Sequence, residues 1–171
     1  ESLTFLKDYI ILGDARRSVQ FLVWREADHQ LMLLGRDYDM SCASACGYVV
    51  DDKSMGIVVG DREGNVRLLQ YTTRKAESKM GYRLVPLADF HLGFQATSML
   101  SYQHLGAPES SIKGRNPDAG VRLDKMRSRR LGLVVCGDDG TIGALLPVDE
   151  RVYRRLQMLQ QIMGWVVPAH F

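Results

Sequence analysis

The stretch GIVVGDREGNVRLLQY at residues 56–71 consists of two short apolar runs joined by a charged turn that contains a glycine. Nearly the same pattern occurs earlier as YIILGDARRSVQFLVW at residues 9–24, and later as LGLVVCGDDGTIGALLPV at residues 131–148. Two strand-like runs around a short glycine-bearing turn are typical of a β-hairpin. The sequence therefore predicts one hairpin that is used three times.

The three copies align on the turn with a single register, so that Ile10, Ile57 and Leu133 are equivalent. The first strands are continuous apolar runs, which are typical of strands covered on both faces. A slip of one residue would turn every side chain to the opposite face, so we expect one repeated environment. The second-strand residues expected to share a face are Val19, Phe21 and Val23, then Val66, Leu68 and Gln70, then Ile142, Ala144 and Leu146.

The turns agree only in part. Gly64 and Gly140 occupy the position where a short hairpin loop favours a positive φ. The first copy has Arg17 there. We therefore expect its turn to differ in geometry or to carry strain.

The spacing of the copies predicts an all-β fold, a partial β-propeller of about three blades followed by a C-terminal α-helix. Repeats of roughly 40–50 residues with several strands each are typical of propeller blades, and a β-sandwich of similar hairpins is the alternative. Rings close with roughly four to eight blades, so the remainder of a longer parent chain, or a partner, is needed to close this one. Further strands are predicted at residues 30–36, 41–50, 82–87 and 95–102.

The overall charge of the 171 residues is only +2, which gives no bulk electrostatic argument for nucleic acid or an anionic membrane. With 46% hydrophobic and 25% charged residues, the composition is that of an ordinary globular domain. No apolar run reaches the roughly 18 residues of a membrane span. The three cysteines form no paired framework, which favours a reducing compartment.

Residues 103–130 form a polar, basic segment that we interpret as a disordered surface insertion. The alternative is a basic arm that contacts RNA phosphates, although no aromatic residues are interleaved for base stacking. The candidate RNA-contacting residues are Lys113, Arg115, Arg122, Lys125, Arg127, Arg129 and Arg130.

A helical pattern follows the last hairpin at residues 149–164, where apolar residues recur on one face. Asp149 is the expected N-cap, and Gly164 the expected C-terminal stop. The basic side chains of Arg154 and Arg155 lie off the apolar stripe and, with Trp165, are candidate partner-contacting residues. A solvated helix face and simple packing of the tryptophan are the alternatives.

Nothing in the sequence predicts an active site, a metal site or a cofactor. The four histidines are scattered, and Cys42 with Cys46 supplies too few ligands for zinc. The string GDDG at residues 137–140 offers two adjacent carboxylates, but it falls at a hairpin tip, where Asp and Gly are turn formers. We therefore interpret it as a turn and predict a protein without catalytic activity.

Several strings together resemble a known family. They are ILGDARRSVQFLVW, GRDYD (35–39), GIVVGDREGNVRLLQY, ADFHLG (88–93) and GTIGALLPVDERVYRRLQMLQ. Their order and wording are similar to the C-terminal part of the large subunit of the cleavage and polyadenylation specificity factor. The wider family includes the large subunit of the damaged-DNA-binding protein and a large subunit of the splicing factor 3b complex. ADFH and YRRLQMLQ point to the polyadenylation branch.

The resemblance implies a nuclear scaffold of three seven-bladed propellers and a C-terminal helical domain. Residues 1–148 would be the last blades of a propeller, and residues 149–171 the start of the helical domain. Implied partners are a WD-repeat subunit, a zinc-finger subunit and, indirectly, the pre-mRNA polyadenylation signal. The alternatives are a ubiquitin-ligase or splicing scaffold of the same fold, and direct nucleic-acid binding through residues 103–130. The basic insertion and the ending VVPAHF depart from the family pattern.

Overall fold

The computed structural model describes residues 2–51, 54–103 and 130–166, which form three antiparallel β-blades and a C-terminal helix. Blade 1 contains β1 (Ser2–Leu6), β2 (Tyr9–Asp14), β3 (Ser18–Arg25) and β4 (Gln30–Arg36). Blade 2 contains β5 (Ala43–Asp51), β6 (Ser54–Asp61), β7 (Asn65–Gln70) and β8 (Val85–His91), with a 3-10 helix at Ala76–Gly81. Blade 3 contains β9 (Ala96–Gln103), β10 (Arg130–Gly137) and β11 (Ile142–Leu145), and helix α1 follows at Glu150–Val166.

Each blade is a meander in which neighbouring strands pair in chain order. Blade 3 is also joined to blade 2 by a short pairing of β10 with the end of β5. The prediction of a partial propeller with a C-terminal helix is therefore confirmed.

The predicted common register of the three hairpins is also confirmed. Ile11 pairs with Phe21 in blade 1, and the equivalent pairs are Val58 with Leu68 in blade 2 and Val134 with Ala144 in blade 3. Equivalent residues therefore sit on the same face of each blade.

Two apolar cores hold the blades side by side. The first lies between blades 1 and 2 and contains Ile11 and Phe21 against Ile57 and Leu69. The second lies between blades 2 and 3 and contains Val58, Val66, Leu133 and Val135. Blade 2 thus contributes Ile57 to one core and Val58 to the other, and these adjacent residues of β6 are 0% and 1% exposed.

Within the described parts of the chain, burial on both faces is restricted to the middle blade, which corrects the expectation of one repeated environment. Phe21 and Leu68 both face the blade that comes next in the chain, whereas the equivalent Ala144 has no described blade to face. Ile142 is 74% exposed for the same reason. The faces repeat as predicted, but the neighbours that would cover them do not.

The hairpin turns follow the sequence closely. Gly64 and Gly140 have φ values of +80° and +85°, as predicted. In the first copy the left-handed position moves one residue along to Ser18, with φ at 57°, rather than falling on Arg17. The Asp14 carboxylate accepts hydrogen bonds from the backbone N–H groups of Arg16 and Arg17, at 2.7 and 3.0 Å, which stabilise this different turn.

Two local predictions are wrong. The strand predicted at residues 82–87 begins at Val85, because the residues before it form the 3-10 helix and a bridge between Arg83 and Arg36. Helix α1 continues through Gly164 to Val166. A glycine inside a helix costs only about 1 kcal/mol, so Gly164 need not end it.

Candidate interaction surfaces

The row of three blades, which we call the arc, begins with an apolar surface on blade 1 that no other described residues cover. Leu3 pairs with Leu12 and Phe5 with Ile10, so the four side chains share the face that points away from blade 2. Leu3 and Phe5 are 54% and 61% exposed. Contiguous apolar patches of this kind mark sites where another surface packs.

The opposite end of the arc presents the other face of the repeated hairpin, on blade 3. Val134 pairs with both Leu100 and Ala144, and all three lie on the face that points away from blade 2. Leu100 is 62% exposed, and Ile142 on the same face is more exposed still. Both ends of the arc therefore expose an apolar blade face, as expected where a neighbouring blade would pack.

A cleft of about 350 Å³ separates the outer strands of blade 2 from β11. Leu68 and Phe90 line one side, and Leu145 and Pro147 line the other. Blades 1 and 2 each have four strands, whereas blade 3 has three within the described residues. Among the described residues β11 pairs with β10 alone, and the cleft lies beside its other edge, where a fourth strand of blade 3 would cover blade 2.

Polar side chains lock the junction between blades 1 and 2. Arg67 on β7 forms ion pairs with Asp37 and Asp39, at 2.9 and 3.2 Å. The hydroxyl of Ser18 donates a hydrogen bond to the same Asp37 carboxylate at 2.7 Å, and Arg67 also contacts Ser41. Sequence reasoning missed this cluster, although GRDYD contains both aspartates.

Among the seven predicted RNA-contacting residues, only Arg130 lies within the described part of the chain. Its guanidinium forms an ion pair with Asp51 at 2.9 Å and another with Asp149. These hydrogen bonds, first that of Asp149, raise the pKa of Arg130, while the arginine lowers the pKa of Asp149. Arg130 thus connects blade 3 to the start of α1. Lys113 and the other five basic residues fall outside the described residues.

Helix α1 carries the predicted partner-contacting arginines on an exposed surface. Arg154 forms an ion pair with Glu150 one turn earlier, and Arg155 is exposed. The predicted apolar stripe is also exposed, with Leu156 at 53% and Met163 at 55%. The side chain of Trp165 lies outside the described residues. An amphipathic helix with a bare apolar stripe needs a covering surface.

The GDDG string is a hairpin turn, as predicted. Asp139 accepts hydrogen bonds from the backbone N–H and the hydroxyl of Thr141, at 2.9 and 2.6 Å. These bonds lower the pKa of the Asp139 carboxyl, first through the side-chain contact. Across residues 2–51, 54–103 and 130–166, no three His, Cys, Asp or Glu side chains come together as a metal site would require.

The cysteines are free thiols in the described structure. Burial raises the pKa of the Cys46 thiol to about 12, which makes it unreactive near neutral pH. Within the described residues, no helix has the length and apolar character needed to cross a membrane.

Three blades stacked face to face define the chain as a segment of a β-propeller, a repeat protein whose blades are covered by their neighbours. The family model described as "CPSF A subunit region" matches residues 1–169. The chain belongs to this family.

Relatives in plants and fission yeast show the same relationship. The chain is 32% identical over 167 residues to the rice (Oryza sativa subsp. japonica) "Probable cleavage and polyadenylation specificity factor subunit 1", covering 98% of this chain and 11% of that protein. It is 29% identical to the Arabidopsis thaliana "Cleavage and polyadenylation specificity factor subunit 1", covering 98% of this chain and 10% of that protein. It is 31% identical to "Protein cft1" of Schizosaccharomyces pombe over 93% of this chain and 10% of that protein. The chain therefore spans about a tenth of the length of these relatives.

Proposed function

We propose that this chain is part of a non-catalytic scaffold subunit of the nuclear complex that cleaves and polyadenylates pre-mRNA. The family match over residues 1–169, with relatives named for cleavage and polyadenylation, is the observation that carries the proposal. It favours the polyadenylation branch over the ubiquitin-ligase and splicing scaffolds that have a similar fold. The expected partners are the WD-repeat and zinc-finger subunits, with pre-mRNA recognised through them.

The geometry supports a working surface that extends beyond these residues. Both ends of the arc expose apolar blade faces, and the cleft beside β11 lacks a covering strand among the described residues. Exposed strand edges and large apolar patches favour aggregation, so in the folded protein they are normally covered by other parts of the chain or by a partner. We propose that the remainder of a longer parent chain supplies these neighbours and closes the propeller, and that α1 begins a helical domain.

Co-purification from nuclear extract tests the scaffold proposal. The full-length protein that contains this chain is epitope-tagged and isolated, and its depletion is followed by mapping of mRNA 3′ ends. We expect the WD-repeat and zinc-finger subunits among the bound proteins, and loss of correctly polyadenylated ends. The proposal would be excluded if the tagged protein bound neither the WD-repeat nor the zinc-finger subunit and if its depletion left mRNA 3′ ends intact.

Direct RNA binding by the basic insertion is a separate candidate, carried by the charge of residues 103–130. Arg130 is engaged by two aspartates, so the six remaining basic residues would supply the phosphate contacts. Each contact with single-stranded RNA contributes a slope of about −0.7 to the dependence of log K on log salt. Replacing the six residues by glutamine should flatten this dependence, and an unchanged RNA affinity would eliminate the candidate.

A further inference from the structure

The loop between β7 and β8 folds over the end of β4 and forms one continuous surface with it. The backbone N–H of Arg36 donates a hydrogen bond to the carbonyl of Tyr82, and the N–H of Leu84 donates to the carbonyl of Arg36, each at 3.0 Å. The last residue of blade 1 and a loop of blade 2 are therefore held side by side.

Large apolar and aromatic side chains project from this surface. Tyr38 and Tyr82 are 47% and 63% exposed, and Met40 and Met80 are 96% and 85% exposed. The guanidinium carbon of Arg36 lies 4.4 Å from the centre of the Tyr38 ring, and the ammonium nitrogen of Lys79 lies 6.0 Å from it. We call these six residues the Tyr38–Tyr82 surface.

The surroundings of the Tyr38–Tyr82 surface are strongly basic, although the chain as a whole carries a charge of only +2. The nearby acidic residues Asp37 and Asp39 are paired with Arg67. Glu77 is the one acidic residue in the loop at positions 71–84. Among the described residues, none of the surrounding cations forms an ion pair with a carboxylate; they are Arg36, Arg74, Lys75, Lys79 and Arg83.

The backbone holds this surface in an unfavourable conformation. Lys79 and Met80 are consecutive non-glycine residues with φ values of 47° and 64°. Non-glycine residues in this region are strained and persist only where surrounding contacts fix them. The hydrogen bond from the Arg83 N–H to the Ser78 carbonyl, at 2.9 Å, closes the loop around them. Met80 is thereby kept in solvent rather than folded inwards.

We propose that the Tyr38–Tyr82 surface binds an acidic segment of a partner protein that also carries apolar side chains. Tyrosine, methionine and arginine are enriched in protein interfaces, and flexible methionines adapt to apolar partners. The unpaired cations supply the complement to glutamate or aspartate. Single-stranded RNA is the less favoured occupant, because the most exposed side chains of the surface, Met40 and Met80, have no planar face on which a base could stack, and Arg36 already lies over the Tyr38 ring.

Fluorescence anisotropy with the purified full-length protein tests this inference. The probe is a fluorescein-labelled peptide of repeated Glu-Glu-Phe units, and the comparison probes are Lys-Lys-Phe repeats, Glu-Glu-Ser repeats and an oligouridylate. The variant Arg36→Glu/Lys79→Glu removes the cations, and Met80→Ser/Tyr82→Ser removes apolar contacts. The matched control is Arg16→Glu/Arg17→Glu, which reverses two exposed charges in the turn of the first hairpin.

We expect the Glu-Glu-Phe peptide to bind, and to bind more tightly than either other peptide. Its Kd should rise on the order of tenfold in each variant of the surface and stay unchanged in the control. Equal Kd values in all variants, or no peptide binding, would overturn the inference. Loss of oligouridylate binding alone in Arg36→Glu/Lys79→Glu would assign the surface to RNA instead. The assay contains no other subunit, so its outcome is independent of the co-purification result.

Discussion

The Arg67 guanidinium and the Asp37 carboxylate form an ion pair at 2.9 Å that joins blade 2 to blade 1. Both side chains are largely removed from water, at 11% and 3% exposure. Ser18 satisfies a further acceptor site of the same carboxylate. Because a buried charge is costly without its partner, this pair makes the arrangement of the two blades specific.

Replacing Arg67 by methionine should destabilise the junction strongly. The substitution keeps much of the side-chain volume but leaves the Asp37 carboxylate buried without its counter-ion, which costs about 3–5 kcal/mol. Hydrogen exchange of the full-length protein measures the effect locally. The protection of the Asp37 N–H, which bonds to the Val19 carbonyl at 2.8 Å, should fall.

Two comparisons make this result specific to the ion pair. The variant Arg16→Met removes an exposed arginine and should leave exchange unchanged. The double variant Asp37→Leu/Arg67→Met removes both charges and should recover part of the lost protection, since apolar replacement of a whole buried pair is often tolerated. If Arg67→Met behaves like Arg16→Met, the pair does not hold the junction.

Gly64 and Gly140 should respond differently to alanine. Both have a positive φ, which costs an alanine about 1–2 kcal/mol. At Gly64 a Cβ would also lie 3.2 Å from the backbone nitrogen of Phe94, whereas at Gly140 nothing lies within 4 Å. Hydrogen exchange should show a larger loss of amide protection in the strands flanking Gly64 for Gly64→Ala than in those flanking Gly140 for Gly140→Ala. Equal losses would mean that the backbone conformation alone determines the cost.

The hairpins and their register could be predicted because each depends on neighbouring residues. Apolar periodicity placed Ile57 and Val58 in one strand, and glycine marked two of the three turns. The helix was visible for the same reason, since its spacing is local. Its end was not, because a single glycine such as Gly164 weakens a helix without stopping it.

The contacts between blades could not be predicted in this way. Arg67 meets Asp37 only because blades 1 and 2 pack against each other, and no short sequence pattern predicts which residues that packing brings together. The same limit hid the approach of Tyr82 to Arg36. The exposure of Ile142 was missed for a different reason, because the repeat predicts which face a residue occupies but not whether a neighbour covers it.

Cys46 should resist alkylation and should make the protein sensitive to alkaline pH. Burial raises its pKa to about 12, so the folded protein keeps the thiol protonated where the unfolded chain ionises, near pH 8.5–9. Stability supplied by the neutral thiol is present below that range and falls as the pH rises from it towards the folded pKa. Urea titrations above about pH 9 should show that the free energy of unfolding falls with pH. The variant Cys46→Ala should show a smaller fall over the same pH range.

Iodoacetamide labelling gives a second measurement of the same thiol. The half-buried Cys42 should be modified well before Cys46 in the native protein, and both should react alike in urea. Labelling is assigned to each residue by mass spectrometry of the digested protein. Rapid native modification of Cys46 would show that the interface between blades 1 and 2 opens readily.

The two end faces of the arc give a prediction that separates exposure in this chain from burial in a closed ring. Phe5, Ile142 and Met40 are 61%, 74% and 96% exposed, so exposure alone predicts that aspartate is tolerated at all three positions.

If further blades cover the ends, Phe5→Asp and Ile142→Asp each lose about 1.5–3 kcal/mol of apolar burial and also bury a charge. Met40 belongs to the Tyr38–Tyr82 surface and lies on a loop rather than a blade face; because this measurement contains no partner protein, Met40→Asp is the matched control. In the full-length protein we expect faster hydrogen exchange in β1 and β2 for Phe5→Asp and in β10 and β11 for Ile142→Asp, with the control unchanged. Wild-type exchange in both variants would mean that these faces stay open to solvent, and closure of the ring by the parent chain would then have to be abandoned.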